Sequence, residues 1–214
     1  MSVTPRARSL WLHPAAKPLV FIASLLPFAW LVYGAVANTL GANPAETLIR
    51  ASGDWTLRFL CLTLAITPLR VIARQPALAR LRRMLGLFTA FYATLHFLCY
   101  AWLDMGLDPQ AIVADIPQRP FALVGFTAFA LLLPLAATSF NRAIKWLGAA
   151  RWQALHRLVY AIAVLGVLHF FWMRASKNNL GEVWIYALVV AALLGWRVVQ
   201  RLDRPAARVG ATAP

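Results

Sequence analysis

Residues 84–103 read MLGLFTAFYATLHFLCYAWL and contain no Asp, Glu, Lys or Arg. A helix needs about 20 apolar residues to cross the roughly 30 Å of hydrocarbon in a bilayer, and this run has that length and composition. Its single histidine, His96, is an exception to the apolar pattern. Ionisable groups inside a membrane span are costly to keep there and by default indicate a function. The stretch therefore predicts a transmembrane helix that carries a candidate site.

The remainder of the chain repeats this pattern. Its composition, 61% hydrophobic with 13% charged residues, leaves too few polar side chains for the surface of a soluble protein. We predict an all-α integral membrane protein in which six transmembrane helices form one bundle. The predicted spans are residues 19–37, 55–73, 84–103, 120–138, 155–173 and 183–199. Residues 19–200 then form the membrane domain, with tails at residues 1–18 and 201–214, the second of which is expected to be disordered.

The formal net charge of +14 is distributed so that it predicts the orientation of the bundle. Cations concentrate in the two tails and in alternate connections, and the positive-inside rule then places both termini in the cytoplasm. The fifth connection, with Arg174 and Lys177 against Glu182, is a weak exception. We attribute the basic charge to the orientation of the bundle in the lipid bilayer and expect no nucleic-acid partner. The basic groups are Arg6, Arg8, Lys17, Arg70, Arg74, Arg80, Arg82, Arg83, Arg142, Lys145, Arg151, Arg197, Arg201, Arg204 and Arg208.

Two histidines are expected at a similar depth on helices that run in the same direction. At about 1.5 Å per residue, His96 lies about two-thirds of the way along the third span, and His169 lies in the last part of the fifth. Both belong to the outer half of the predicted bundle. Two facing imidazoles are what a non-covalently bound haem needs above and below its iron. The chain has no C-x-x-C-H motif for covalent attachment, so we predict one haem b with His96 and His169 as axial ligands.

His156 lies at the cytoplasmic mouth of the fifth span and is a candidate contact of a second, inner haem. It is 13 residues from His169, which puts the two side chains on different faces of an ideal helix. If both served stacked haems, the helix would have to be distorted, for example by a π-bulge, or the haems would have to be offset. The spacing leaves the haem count open between one and two.

Several motifs resemble the MsrQ family, formerly called YedZ, over roughly residues 19–200. These motifs are RRMLGL at 82–87, LG at 147–148 and RWQALHRLVY at 151–160, together with His96 and His169. Members of this family are haem-bearing membrane subunits of bacterial MsrPQ methionine sulfoxide reductase systems. The resemblance implies that electrons pass from the quinone pool of the bacterial inner membrane to MsrP. MsrP is a periplasmic molybdopterin enzyme that repairs oxidised proteins. The resemblance also implies an FMN cofactor, for which the sequence indicates no site.

The wider relatives are the transmembrane domains of ferric reductases and NADPH oxidases, which hold two stacked haems with two histidines on each of two helices. Here the position 13 residues before His96 is Arg83, not histidine. Arginine binds carboxylates through paired N–H groups and does not ordinarily ligate iron. Arg83, Arg157 and Arg58 are therefore candidate partners of haem propionates.

Two other functions remain open at this stage. A free-standing transmembrane ferric reductase would use the same histidines with an iron chelate as acceptor. A small proton-coupled transporter would use them as proton relays, although the chain has no repeated halves of the kind found in many transporters. The sequence also has no G-x-G-x-x-G dinucleotide motif, so electrons are expected from a membrane carrier or a separate reductase.

Overall fold

The computed structural model describes residues 12–175 and 180–203. Within these ranges the chain is helical, and six segments are long and apolar enough to cross a membrane. The α-helices in the described part are α1 (Ala16–Val36), α2 (Pro44–Ile72), α3 (Arg82–Cys99), α4 (Pro109–Gln118), α5 (Pro120–Ala137), α6 (Asn141–Leu147), α7 (Ala149–His156), α8 (Leu158–Ala175) and α9 (Gly181–Leu202). Most of both predicted tails lies outside the described residues, as do Arg6, Arg8, Lys177, Arg204 and Arg208.

The six predicted spans are confirmed, but their ends differ from the prediction. The second span begins at Pro44 and not near residue 55. The Asn43 side chain caps this helix by accepting the Glu46 N–H at 3.1 Å. A proline in the first turn removes no helical hydrogen bond, because that N–H has no partner inside the helix. The charged residues before position 55 thus belong to α2, and Arg50 pairs with Glu46 one turn earlier.

Two pairs of helices form the centre of the bundle. Helix α2 packs along α3, and α5 packs along α8, while α3 also contacts α5. Helix α1 lies against α2 and α3, and α9 lies against α2 and α8. The buried core residues Leu57, Leu60 and Leu64 of α2 meet Leu132 of α5 and Ile162 of α8. The space between the two pairs is therefore where a ligand can be enclosed.

The six spans alternate in direction, so the first residues of α1 and the last residues of α9 lie at the same end of the bundle. We call this the basic end; it includes residues 73–81, α6 and α7. The opposite end, called the acidic end, includes residues 37–43 and 104–119. Helix α4 lies at the acidic end and α6 at the basic end. Both were predicted as plain connections, because they are too short to give a hydropathy signal.

The fifth span is interrupted at Arg157. Helix α7 ends at His156 and α8 begins at Leu158. The sequence indicated that this helix would have to be distorted if both His156 and His169 bound haems. A distortion is present between them, but it is a turn and not a π-bulge. A π-helical turn does occur at Tyr100–Asp104, directly after α3.

A proline gap in α2 is closed by a side chain from another helix. Pro68 has no N–H, so it cannot donate to the carbonyl of Leu64 four residues earlier. The guanidinium of Arg197, on α9, donates to that carbonyl instead. In a span without water this contact satisfies a backbone group that would otherwise have no partner.

Candidate functional site

The structure brings His96 of α3 and His169 of α8 close together across the bundle. The centres of the two imidazole rings are 6.0 Å apart, and their planes make an angle of 76°. Both side chains line one cavity of about 600 Å³ between the two central helix pairs. We call this the histidine cavity.

The hydrogen bonds of the two rings define their tautomers. Nδ1 of His96 lies 2.8 Å from the carbonyl oxygen of Ile49, and Nδ1 of His169 lies 2.7 Å from that of Phe121. A backbone carbonyl only accepts, so each Nδ1 carries the proton and donates it. Each Nε2 therefore keeps the lone pair that a metal ion needs. This is the arrangement typical of metal-binding histidines, whose second nitrogen is held by an outer partner.

Charged side chains line the same cavity at the acidic end of the bundle. They include Arg50 on α2 and Arg119, which precedes α5. Arg119 pairs with Asp115 at 2.9 Å, and Asp115 also accepts the Tyr100 hydroxyl at 2.8 Å. The two guanidinium groups can meet the carboxylates of a ligand in the cavity. The sequence prediction missed both arginines because it placed them in connections. Their i,i+4 spacing from Glu46 and Asp115 was the available sign that Arg50 lies on a helix and that Arg119 lies at the end of one.

A second cavity, of about 710 Å³, lies toward the basic end. We call it the basic cavity. His156, Arg83 and Arg157 line it. The other cations in its wall are Arg70, Arg82, Arg197 and Arg201. Leu60, Thr89 and Leu132 line both cavities, so the two lie in line along the bundle with this layer between them.

His156 is held differently from the other two histidines. Its ring stacks on Trp152, with ring centres 4.0 Å apart, and its Nε2 lies 3.1 Å from the Thr138 hydroxyl oxygen. That hydroxyl donates to the carbonyl of Pro134 at 2.7 Å. Its oxygen therefore accepts from Nε2–H of His156, and Nδ1 is the nitrogen left with a lone pair. The structure does not bring His156 together with His96 and His169.

The three arginines predicted to meet propionates do not share one site. Arg83 and Arg157 line the basic cavity, where Arg83 donates to the Asn141 side chain at 2.6 Å. Arg58 is not among the described residues that line either cavity. Its guanidinium lies 4.6 Å from the ring centre of Trp55, and its Nε donates to the Tyr186 hydroxyl at 3.2 Å. The structure thus places Arg58 apart from the other two.

These features define a class of protein: a multi-pass membrane bundle with a pair of histidines that can hold a metal group between its central helices. Comparison with known families gives the same class. Residues 52–167 match the family described as "Ferric reductase like transmembrane component". No solved structure matches the chain.

Full-length relatives narrow the class. The chain is 64% identical over 214 residues to "Protein-methionine-sulfoxide reductase heme-binding subunit MsrQ" of Polaromonas naphthalenivorans, covering 100% of this chain and 98% of the relative. Proteins of the same name are 57% identical over 183 residues in Bordetella pertussis (85% of this chain, 88% of the relative) and 51% identical over 202 residues in Ralstonia nicotianae (94% and 93%). The chain belongs to the MsrQ family of ferric reductase-like membrane proteins.

Proposed function

We propose that this chain is the b-type haem subunit that carries electrons across the bacterial inner membrane to a periplasmic methionine sulfoxide reductase of the MsrP type. The names of its relatives describe heme-binding subunits of a protein-methionine-sulfoxide reductase. The observation that carries the proposal is that His96 and His169 line one cavity with their ring centres 6.0 Å apart.

The pair fits a haem in number and in spacing. A haem supplies four nitrogen ligands of its own and takes two axial ligands from the protein. An imidazole nitrogen binds a transition metal at about 2 Å and the ring centre lies about 1 Å further out, so two axial rings have centres about 6 Å apart. The observed separation is 6.0 Å. The cavity of about 600 Å³ is also within the range of cofactor sites.

The protein groups around the pair would bind and orient the cofactor. The carbonyls of Ile49 and Phe121 hold the rings and raise the basicity of each Nε2. Arg50 and Arg119, which also pair with Glu46 and Asp115, would supply N–H donors for the propionates at the acidic end. A bound haem iron would carry one electron at a time by changing between its ferric and ferrous states.

The basic cavity is proposed as the place where electrons arrive from the membrane quinone. Its arginines, Arg83 and Arg157 among them, suit an anionic group such as the propionates of a second haem or the phosphate of FMN. The described residues that line both cavities, Leu60, Thr89 and Leu132, would lie between an occupant of the basic cavity and one of the histidine cavity. Haem content by pyridine haemochrome and flavin content by extraction, each per mole of purified protein, would identify the occupant. His156→Ala should remove only a second haem.

The proposed orientation puts the basic end in the cytoplasm, following the positive-inside rule. The histidine cavity then lies in the periplasmic half, close to the soluble partner. Helix α4 lies on the same face, with Asp108 as its N-terminal cap. A partner that docks there would come near the cofactor in the histidine cavity.

Absorption spectra of purified full-length variants would test the haem assignment. We expect His96→Ala and His169→Ala each to lose the low-spin haem spectrum, because each variant lacks one of the two imidazole nitrogens that would bind the iron. His13→Ala, at an exposed position, is the control. Unchanged spectra in both ligand variants would refute the assignment. Wild-type protein without a Soret band would favour the transporter, and rapid reduction of a ferric chelate without the partner would favour a free-standing ferric reductase.

A further inference from the structure

Each of the two facing imidazoles packs against a glycine of the neighbouring helix. A Cβ built on Gly53 of α2 would lie 3.1 Å from both Cε1 and Nδ1 of His96. A Cβ built on Gly125 of α5 would lie 2.6 Å from Nδ1 and 2.8 Å from Cε1 of His169. Real Cβ atoms essentially never come closer than 3.0 Å to such a neighbour. Alanine at position 125 would therefore displace the His169 ring. Alanine at position 53 would require the His96 ring to move by a few tenths of an ångström.

The two glycines also share a register with the carbonyls that hold the rings. His96 donates to the carbonyl of Ile49, four residues before Gly53, and His169 donates to that of Phe121, four residues before Gly125. In an α-helix the carbonyl of residue i already accepts the N–H of residue i+4. The Cβ of residue i+4 leans toward the N-terminus of the helix, over that same carbonyl. A glycine at i+4 therefore leaves the carbonyl open to an outside donor. At Ile49 the Ser52 hydroxyl also lies 2.9 Å from the oxygen, but it is nearer to the carbonyl of Leu48, at 2.7 Å.

We infer that Gly53 and Gly125 are positioning residues that let a helix carbonyl hold each imidazole by Nδ1 and thereby set the direction of Nε2 and the angle between the rings. This inference rests on the proposed role of the histidines as haem ligands. It does not extend to every glycine in the spans. A Cβ on Gly86 or Gly166 would meet its nearest neighbour at an ordinary 3.6 or 3.8 Å. Among the described glycines of the four central helices, α2, α3, α5 and α8, the close approach thus occurs only at the two positions that face the histidine rings; Gly34 of α1 also has a close neighbour, but that neighbour is the Leu40 side chain.

Alanine variants of the full-length protein, purified from membranes, would test this role. Outer partners of a metal ligand typically contribute about 10- to 100-fold to the affinity for the metal, so we expect Gly125→Ala to bind haem more weakly by about that factor and to retain less haem through purification. Gly53→Ala should lose less, since its contact is longer. The haem that remains should show a changed low-spin electron paramagnetic resonance signal, which depends on the angle between the imidazole planes, and a shifted reduction potential. Gly195→Ala, on α9, is the matched control and should keep the wild-type values, because a Cβ there would meet nothing within 4 Å and Gly195 is not among the residues that line either cavity. Unchanged haem content and resonance signal in both test variants would overturn the inference.

Double variants separate ring positioning from helix packing. In the His169→Ala background the ring is gone, so adding Gly125→Ala should not lower the yield of folded protein measured by fluorescence size-exclusion chromatography. The same should hold for Gly53→Ala added to His96→Ala. A further loss of folded protein in both double variants would show that the glycines serve packing alone and would overturn the inference. Failure of the proposed function would be seen separately, as wild-type protein without haem, whereas the double variants test the ring contacts in either case.

Discussion

Replacing Tyr92 with phenylalanine would test how α1 is attached to α3, the helix that carries His96. Tyr92 is fully buried, and its hydroxyl accepts the N–H of Phe28 at 3.0 Å and donates to the carbonyl of Ser24 at 2.8 Å. In a continuous helix these two backbone groups would bond to each other. The hydroxyl is thus inserted into the ladder of α1 next to Pro27, where the proline already interrupts it.

The expected loss can be worked out from these contacts. The variant keeps the aromatic ring, which stacks on Phe59 with ring centres 5.1 Å apart, so the change is limited to two hydrogen bonds. A hydrogen bond contributes about 0.5–1.5 kcal/mol net, and a buried partner left unpaired costs about 1–3 kcal/mol. The helix can close part of the gap, because the Phe28 N–H can approach the Ser24 carbonyl directly. We expect the free energy of unfolding to fall by about 2 kcal/mol, which for a chain of this size lowers Tm by about 4–8 °C.

Thermal unfolding of the detergent-solubilised protein, followed by fluorescence-detected size-exclusion chromatography, would measure this shift. Tyr33→Phe is the matched control, because Tyr33 lies on α1, the helix that the Tyr92 hydroxyl contacts, and 61% of its surface is exposed. The absorption spectrum of a bound haem should not change, since Tyr92 does not line the histidine cavity. A Tm within about 1 °C of that of the control variant would refute the role of the inserted hydroxyl, because one unpaired buried group should already cost more than this.

Three further predictions concern stability, orientation and the partner. Arg197→Met keeps an unbranched apolar stem but removes the guanidinium that donates to the Leu64 carbonyl beside Pro68, so it should lower the free energy of unfolding by about 1–3 kcal/mol in the same assay, and equal stability would contradict this role. In a cysteine-free variant, single cysteines placed at positions 80 and 108 would test the orientation with a membrane-impermeant thiol reagent added from outside. The cysteine at position 108 should be labelled and the cysteine at position 80 should not; the reverse pattern would overturn the proposed orientation. Asp108→Asn keeps an N-cap on α4 but removes its charge, so it should leave the haem spectrum unchanged and slow reoxidation of the haem by the partner at low salt. Unchanged reoxidation would exclude this carboxylate from the docking surface.

The six spans could be predicted because hydropathy averaged over a helix length is a strong signal. The start of α2 could not be found in that way, since Glu46, Arg50 and Asp54 lower the average at its N-terminal end. The local signal was present nonetheless: Asn43 followed by Pro44, with a glutamate three residues after the cap, is typical of a helix start. The charges are tolerated there because Arg50 pairs with Glu46 and lines a cavity.

The meeting of His96 and His169 could be anticipated from depth alone, because the direction of a span and the rise per residue determine the level of each side chain. Depth says nothing about how a helix is rotated about its own axis. Arg58 is an example. Its depth in the second span was compatible with a contact to a haem propionate, but the rotation of α2 about its axis directs the guanidinium to Trp55 and Tyr186. The roles proposed for Gly53 and Gly125 could not be predicted from the sequence for the same reason, because they depend on which histidine ring faces each glycine.

The three membrane histidines differ in the kind of group that holds them, and this difference bears on the proposed direction of electron flow. His96 and His169 donate to helix carbonyls, which neither rotate nor ionise, so their tautomers and ring positions are held by the backbone itself. His156 donates to the Thr138 hydroxyl, a group that can turn. A backbone-held pair suits a cofactor that must keep both ligands as its charge changes. A more adaptable wall rich in arginine suits the end where an electron donor arrives and leaves. The contrast therefore supports arrival of electrons at the basic cavity and their departure from the histidine cavity.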